Sequence, residues 1–217
     1  MKLPKLPKVT LQDLTIPGIL LLGIIIVYLY GLSLRTHPDE YTIPFDTVIA
    51  QPDDITCGPT SATMILHHYG HKGVTVDETK ALTKTVWFTY RTKDIGMTSP
   101  DYLPIAMRKL GVPSQMKYGS IDTLKHDVSE GRPVIALVRS SETTWHYIVV
   151  RGFTQEKMLI ADPGGGELYE MPLEKFVGCW SWNTDMDGTV CKDDYLCTLL
   201  RAAEVYPYTY IAPDKAP

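Results

Sequence analysis

The sequence predicts an α+β fold for most of this 217-residue chain. Apolar residues recur at helical spacing in the first half of the chain and form short, β-branched runs of strand length in the second half. Helices followed by strands are typical of the α+β class. A third observation stands apart from this pattern, because residues 16–34 are predominantly apolar and carry no charge. We therefore expect one compact domain preceded by one transmembrane helix.

The helical half contains four predicted helices, each bounded by capping or turn residues. They run from just after Cys57 to Gly70, from Asp77 to Val86, from the Ser99-Pro-Asp cap to Gly111, and from Ile121 to Glu130. Three strands follow, over 133–138, 145–150 and 158–161. Because these strands are β-branched, closely spaced and bounded by turn residues, they predict an antiparallel meander. The stretch 87–99 is expected to be a loop whose aromatic residues either line a cleft or belong to the core.

The charge-free segment has the length of a membrane-spanning helix. Its nineteen residues would extend roughly 28 Å as a helix, about the thickness of the hydrocarbon core of a bilayer. Lys2, Lys5 and Lys8 precede the segment, whereas Asp39 and Glu40 follow it. The positive-inside rule then places the N-terminus in the cytoplasm and the rest of the chain outside, in the periplasm or at the cell surface. A buried core helix and a cleaved signal peptide are the alternatives.

These features divide the chain into segments. We expect a short cytoplasmic N-terminus (1–15), a membrane anchor (16–34), a linker (35–47) and one domain (48–217) that ends in a cysteine-containing extension (179–217). The net charge is −4 and no dense run of basic residues is present. Because a nucleic-acid-binding surface needs a basic patch or stripe, the composition argues against such a partner.

Cys57 is the candidate nucleophile. It stands where a helix begins, and a helix N-terminus favours the negative charge of a thiolate. On position alone, a buried structural cysteine is an equal alternative. Gln51 lies six residues upstream. Its side-chain amide can donate a hydrogen bond to a developing oxyanion, beside the backbone N–H of the nucleophile, so the spacing favours a catalytic cysteine.

A cysteine nucleophile needs a base, and the chain offers six histidines: His37, His67, His68, His71, His126 and His146. His146 opens a strand after a polar loop, which is the usual setting of a functional side chain on a rigid element. The other histidines lie in the predicted linker, on a polar helical face, or on and just beyond the helix of Cys57. Asp162 ends the next strand, beside the start of the strand of His146 in an antiparallel pair. We expect Asp162 to orient this imidazole, with a turn-forming Asp before Pro-Gly as the alternative.

These residues stand in segments that resemble the bacteriocin-processing peptidases of double-glycine leaders and their stand-alone relatives. The segments are Gln51…Cys57-Gly-Pro-Thr-Ser, Gly96-Met-Thr-Ser-Pro-Asp-Tyr-Leu, Gly131-Arg-Pro-Val, His146-Tyr-Ile-Val-Val and Ala161-Asp162-Pro. The resemblance spans about residues 48 to 182 and implies a papain-like fold with no cofactor. It implies that Cys57 is the nucleophile and His146 the base. It also implies that Asp162 orients the base and that Gln51 contributes to the oxyanion hole.

The implied reaction is acyl transfer through a thioester, by a membrane-anchored cysteine peptidase outside the cytoplasm. The expected partners are a peptide or protein substrate, the membrane and other membrane proteins. The known leader peptidases are usually fused to a transporter and face the cytoplasm, so the resemblance does not extend to double-glycine cleavage. Two alternatives stay open. One is transfer of the acyl group to an acceptor other than water, and the other is a catalytically silent peptide-binding module in a membrane assembly.

The C-terminal extension carries three cysteines and an acidic stretch. Cys179, Cys191 and Cys197 would lie on the oxidising side of the membrane, which predicts one disulfide and one remaining thiol. Cys191–Cys197 is the favoured pair, because Cys179 could instead belong to the core. A partial calcium-loop pattern places four side chains at ligand positions: Asn183, Asp185, Asp187 and Asp194. An acidic surface loop without metal is the favoured interpretation.

Overall fold

The computed structural model describes residues 21, 23–25, 37–90, 93–191 and 194–217. The chain separates into two compact units, Met1–Thr36 and His37–Pro217. The predicted membrane anchor over 16–34 falls almost entirely outside the described residues. Within the described ranges, no helix is both long enough and apolar enough to cross a bilayer.

The larger unit is α+β, as predicted. Its helices are α1 (Cys57–His68), α2 (Val76–Ala81), α3 (Tyr102–Lys109), α4 (Ile121–Ser129), α5 (Leu173–Trp180) and α6 (Asp194–Ala202). Its strands are β1 (Tyr41–Thr42), β2 (Thr85–Tyr90), β3 (Lys93–Thr98), β4 (Ser114–Tyr118), β5 (Val134–Arg139), β6 (Trp145–Phe153), β7 (Lys157–Asp162), β8 (Glu167–Pro172) and β9 (Thr209–Pro213). Strands β5, β6 and β7 pair antiparallel in sequence order, which confirms the predicted meander.

Most strands of the described chain belong to one antiparallel sheet. Its order is β4-β9-β5-β6-β7-β8, and β1 pairs with one end of β6. Strand β6 lies in the middle of this sheet and is apolar on both faces: Tyr147 and Val149 belong to one buried cluster, and Ile148 and Val150 to the other. Helices α1, α3 and α6 contribute to the first cluster, whereas α4 and α5 contribute to the second. Burial on both faces explains why residues 147–150, in the middle of β6, are continuously apolar rather than alternating.

The stretch after α2 differs from the prediction. The predicted helix over 77–86 ends at Ala81, and the predicted loop over 87–99 is largely the antiparallel hairpin β2–β3. Thr75 and Glu78 form a capping box that starts α2. The residues beyond Thr85 are β-branched or aromatic, and in the hairpin they gain cross-strand partners that an isolated helix would not provide.

Both predicted flanks of the domain are part of its core. The predicted linker over 35–47 contains β1, and Ile43 and Phe45 are buried. The predicted extension over 179–217 ends in β9, which lies between β4 and β5. All five residues of β9 are buried, so the C-terminus completes the sheet rather than extending from it.

The predicted disulfide is absent, since all four cysteines are free thiols. The thiol of Cys179 is buried and donates to the carbonyl of Phe176 within α5, as expected for a core residue. Cys197 is buried on α6, where its Sγ accepts a hydrogen bond from the Arg139 guanidinium at 3.3 Å. The thiol of Cys191 lies 3.7 Å from the Thr189 carbonyl. Cys191 and Cys197, the favoured disulfide pair, are therefore two separate thiols that contact different residues.

Candidate active site

Cys57 is the first residue of α1 and is 6% exposed. The N-terminus of this helix packs closely on the sheet at Gly58, where an added Cβ would lie 3.1 Å from atoms of both Thr98 and Tyr147. The hydroxyl of Tyr147 donates to the Thr98 carbonyl at 2.7 Å, and Ser61 of the same helix donates to the Tyr147 carbonyl at 3.2 Å. These contacts hold the start of α1, and with it Cys57, against the strand that carries His146.

His146 and Asp162 form a hydrogen-bonded pair. In the β6–β7 ladder Val149 pairs with Ala161, so the two side chains lie at the same end of neighbouring strands. His146 Nε2 is 2.6 Å from Asp162 Oδ1. Cys57 is the other neighbour that raises the pKa of His146, so its thiol lies close to the imidazole. The structure thus brings three of the four predicted residues into one chain of contacts.

Two further donors hold the carboxylate of Asp162. The backbone N–H of Gly164 donates to Oδ1 at 2.7 Å, and the hydroxyl of Tyr169 donates to Oδ2 at 3.0 Å. Tyr169 lies on β8, the strand beside β7. Sequence reasoning missed this residue, because a tyrosine in a strand at the edge of a sheet carries no local signal for such a contact.

The surroundings of His146 and Asp162 favour their charged forms. Burial alone would lower the pKa of His146, but the hydrogen bonds to Asp162 and Cys57 outweigh it and raise the pKa to about 9. Burial alone would raise the pKa of Asp162, but the hydrogen bonds from His146, Gly164 and Tyr169 hold it below the ordinary 3.8. At neutral pH the pair is therefore an imidazolium and a carboxylate. An imidazolium beside a thiol favours the thiolate, which is the nucleophilic form.

Gln51 lies in the same cleft as His146, which has a volume of about 490 Å³. Its backbone N–H donates to the Pro163 carbonyl, and its side-chain Nε2 donates to the Asp53 carbonyl, both at 2.7 Å. The hydrogen bond to Asp53 thus anchors the side-chain amide of Gln51 at the cleft.

The remaining walls of the cleft come from two segments. One is the β2–β3 hairpin, with Trp87, Ile95 and Gly96, and the other is the connection from β5 to β6, with Ser140 and Thr144. The connection lies at this end of β6 because β5 pairs with β6. The hairpin is a separate sheet that contacts β6 through the hydrogen bond from the Tyr147 hydroxyl to the Thr98 carbonyl.

In the segment with the partial calcium-loop pattern, backbone groups of the loop bind the carboxylate of Asp185. Asp185 is buried, and its Oδ1 accepts hydrogen bonds from the backbone N–H groups of Asp187 and Thr189 at 2.9 and 2.8 Å. These bonds close the loop around the carboxylate. In the part of the chain that the structure describes, no group of three or more His, Cys, Asp or Glu side chains could hold a metal ion.

A family model described as the Peptidase C39 like family matches residues 46–187. The match covers the candidate nucleophile, His146, Asp162 and Gln51, and more than half of the chain. The chain belongs to this family. Membership implies cysteine peptidase chemistry and a peptide substrate, and it agrees with the predicted resemblance to bacteriocin-processing peptidase domains.

Individual relatives agree with this assignment. The lactococcin-G-processing and transport ATP-binding protein LagD of Lactococcus lactis subsp. lactis is 30% identical over 122 residues, which are 56% of this chain and 16% of that protein. The chain thus spans about one sixth of this curated relative.

Two solved structures resemble this chain, and one of them is similar enough to show the fold. A "putative C39-like peptidase" from Bacillus anthracis superposes with a TM-score of 0.57 at 20% identity, over 82% of this chain and 98% of that one. The peptidase domain of Streptococcus ComA, a bi-functional ABC transporter involved in a quorum sensing pathway, has a TM-score of 0.49 at 23% identity, over 60% of this chain and 88% of that one. The first likeness shows that the larger unit has the α+β fold of the C39-like peptidases, with its antiparallel sheet.

Proposed function

We propose that this protein is a papain-like cysteine peptidase in which Cys57 is the nucleophile, His146 the general acid and base, and Asp162 the residue that orients the imidazole. The observation that carries the proposal is the hydrogen-bonded pair of His146 and Asp162 at 2.6 Å, with Cys57 close enough to the imidazole to raise its pKa. An orienting carboxylate, a base and a nucleophile in this order are the arrangement that thiol acyl transfer requires.

The proposed reaction has two steps. The thiolate of Cys57 attacks a peptide carbonyl, and the oxyanion accepts hydrogen bonds from the Gln51 side chain and the Cys57 backbone N–H. His146 gives its proton to the leaving amine, which departs as the new N-terminus of one product. His146 then removes a proton from water as the water oxygen attacks the thioester carbonyl. The tetrahedral adduct expels the thiolate, so the second product leaves as a carboxylic acid and the pair of thiolate and imidazolium is restored.

We also propose that residues 16–34 anchor the peptidase in a membrane with the catalytic unit outside the cytoplasm. The support is the charge-free run of membrane-spanning length and the excess of lysine before it. Cell fractionation and protease accessibility test this proposal separately from the chemistry. Recovery of the full-length chain in the soluble fraction, or its protection from protease added outside intact cells, would contradict it.

Selective alkylation of Cys57 tests the catalytic proposal. Iodoacetamide near neutral pH should label Cys57 faster than Cys191, although Cys191 is the more exposed thiol, because only Cys57 has an imidazolium beside it. His146→Ala should remove this advantage, whereas His126→Ala, outside the cleft, should keep it. Equal labelling of the two thiols in the wild type, or no effect of His146→Ala, would rule out the proposed nucleophile.

The products then separate hydrolysis from transfer. A mixture of denatured proteins incubated with the wild type should acquire new N-termini and free carboxyl ends that Cys57→Ala does not produce. If the carboxyl ends instead carry an added amine acceptor, the protein is an acyltransferase with the same thioester intermediate. If the reactive thiol forms neither product, the domain is a peptide-binding module.

A further inference from the structure

We propose that Trp87 forms an aromatic platform that binds a large apolar side chain of the substrate and so determines the specificity of the cleft. The platform is the free face of the Trp87 ring, at the wall of the cleft that contains Gln51 and His146. This inference rests on the proposed peptidase function, since it assigns a substrate preference to the same site.

Trp87 is both exposed and held in place. It is 59% exposed, an unusual state for a large aromatic side chain in a folded domain. In the β2–β3 ladder it pairs with Gly96, and its indole lies across this glycine, where an added Cβ would be 2.9 Å from the ring atoms Cη2 and Cζ3. Because Gly96 has no side chain, the indole packs directly against the backbone of the paired strand. A ring that is already immobilised loses little conformational entropy when a ligand binds it.

The other large aromatic side chain of the cleft, Trp145, has no exposed ring face. Trp145 is 8% exposed, and its ring is covered by the Arg139 guanidinium at 5.2 Å and by the Trp182 ring at 5.5 Å. Among the described cleft residues, Trp87 is therefore the aromatic side chain with a free face. Ile95, on the paired strand, is also among the residues that line the cleft. This wall favours an apolar side chain over a polar one, because burial of apolar surface is the interaction that it offers.

The position of the platform determines which part of a bound substrate contacts it. A peptide bound beside Gln51 and His146 occupies the same cleft as Trp87, so one of its side chains lies against the indole. Such a contact selects among substrates without taking part in bond cleavage. A hydrophobic subsite of this kind discriminates by roughly tenfold or more between a large side chain and a small one.

Peptidyl chloromethyl ketones test the platform without requiring a known substrate. We would prepare a panel of acetylated tetrapeptide reagents in which one position at a time carries Ala, Leu, Phe or Arg. The alkylation rate of Cys57 is measured by mass spectrometry and divided by the rate of the same variant with iodoacetamide, which has no peptide side chain. In the wild type, Leu or Phe at one position should react roughly tenfold faster than Ala, and in Trp87→Ala this ratio should fall below about threefold.

Two control variants complete the test. Val86→Ala removes an exposed apolar side chain from the same strand, next to Trp87 but outside the cleft wall, and should keep the preference. Trp87→Phe retains a ring and should keep part of it. The inference is overturned if Trp87→Ala keeps the full preference, if Arg is preferred over Phe, or if the wild type has no preference. Failure of the peptidase proposal looks different, because Cys57 would then not react selectively even with iodoacetamide.

Discussion

The imidazole of His146 lies between a carboxylate and a thiol, and these two neighbours determine its charge. Asp162 accepts a hydrogen bond from Nε2 at 2.6 Å, while Gly164 and Tyr169 hold the carboxylate in position. Both partners are largely buried, with 14% and 11% of their side chains exposed. The pair therefore interacts with little screening by solvent.

The titration of His146 is the first prediction at this scale. In the wild type, the midpoint should lie near pH 9, the pKa that Asp162 and Cys57 confer on the ring. Asp162→Asn removes the negative charge, so the midpoint should move to lower pH. Carbon-13 NMR of histidine-labelled protein follows this titration, with His146→Gln used to assign the signal. An unchanged midpoint in Asp162→Asn would show that the carboxylate does not stabilise the imidazolium.

The same pair makes stability depend on pH with a defined sign. The pKa of His146 is raised from its ordinary 6.5, so its contribution to stability is complete below pH 6.5 and is lost as the pH rises to about 9. The pKa of Asp162 is lowered, so its contribution is complete above pH 3.8 and is lost as the pH falls further. The contribution of the pair to the free energy of unfolding should thus be largest between pH 3.8 and 6.5. Chemical denaturation of the wild type and Asp162→Asn measures it.

Some residues of the site could be predicted from the sequence more directly than others. Cys57 and His146 are signalled locally, by a helix start and by a strand that follows a polar loop. Asp162 follows from the antiparallel meander, because a short turn brings the end of one strand beside the start of the other. Tyr169 had no such signal, since its position depends on which strands become neighbours. For Trp87 the sequence left open whether it lines the cleft or belongs to the core, and the structure places it at the cleft.

At the scale of elements, the contact between α1 and β6 brings the nucleophile to the base. The contact is close because position 58 is glycine, with Thr98 on one side and the ring of Tyr147 on the other. Hydrogen bonds from Ser61 and from the Tyr147 hydroxyl restrain both neighbours. Because α1 and β6 pack closely and are hydrogen-bonded here, the helix and the strand together position Cys57 and His146.

Gly58→Ala tests this support. Alanine has the better intrinsic helix propensity, by about 1 kcal/mol, but its Cβ would lie only 3.1 Å from both neighbours. We therefore expect a net loss of about 1–3 kcal/mol in the free energy of unfolding, the usual cost of overpacking. The alkylation of Cys57 by iodoacetamide should slow as well, since the helix must shift to relieve the contact.

Gly73→Ala is the matched control for this substitution. An added Cβ at Gly73 would have no atom within 4 Å, and its backbone is not in the left-handed region. It should leave both the stability and the reactivity of Cys57 close to those of the wild type. Equal effects of the two substitutions would show that the close contact at Gly58 is not what positions the helix.

At the scale of the whole molecule, the buried carboxylate of Asp127 connects segments that are far apart in sequence. From α4, its Oδ2 accepts hydrogen bonds from Lys117 of β4 at 2.7 Å and from Tyr210 of β9 at 2.9 Å. Its Oδ1 accepts from Arg132 at 2.6 Å. These bonds join the helix to the C-terminal strand and its neighbour. The network thus holds β9 within the sheet.

Asp127→Ala should destabilise the larger unit. The substitution leaves Lys117 and Arg132, with 25% and 16% of their side chains exposed, without their common partner. Breaking a buried ion pair in this way costs about 3–5 kcal/mol. The melting temperature, measured calorimetrically, should fall well below that of the wild type. Selective alkylation of Cys57 should persist below this temperature, because the network lies outside the cleft.

Glu170→Ala provides the comparison for the buried network. Glu170 pairs with Lys157 at 2.6 Å, but about half of each side chain is exposed. Exposed pairs contribute little to stability, so the melting temperature should change little. If Glu170→Ala lowers the melting temperature as much as Asp127→Ala, burial of the network is not the source of its effect.

The sequence by itself determined the features that depend on neighbouring residues. Residues with helical spacing formed α1, α3 and α4, of which α4 also begins with a capping box at Ser120, and the β-branched runs formed β5, β6 and β7. The same local patterns indicated Cys57 at the start of a helix and His146 near the start of a strand. The α+β class followed from the order of these elements.

Only the tertiary structure decided what depends on pairing between distant segments. Strand β9 lies between β4 and β5, although it comes last in the chain, and Tyr169 reaches Asp162 from a neighbouring strand. The β2–β3 hairpin forms a wall of the cleft in place of the expected loop. Burial and backbone hydrogen bonding over the whole sheet determine which strands become neighbours. A short stretch of sequence does not show which distant strand it will pair with.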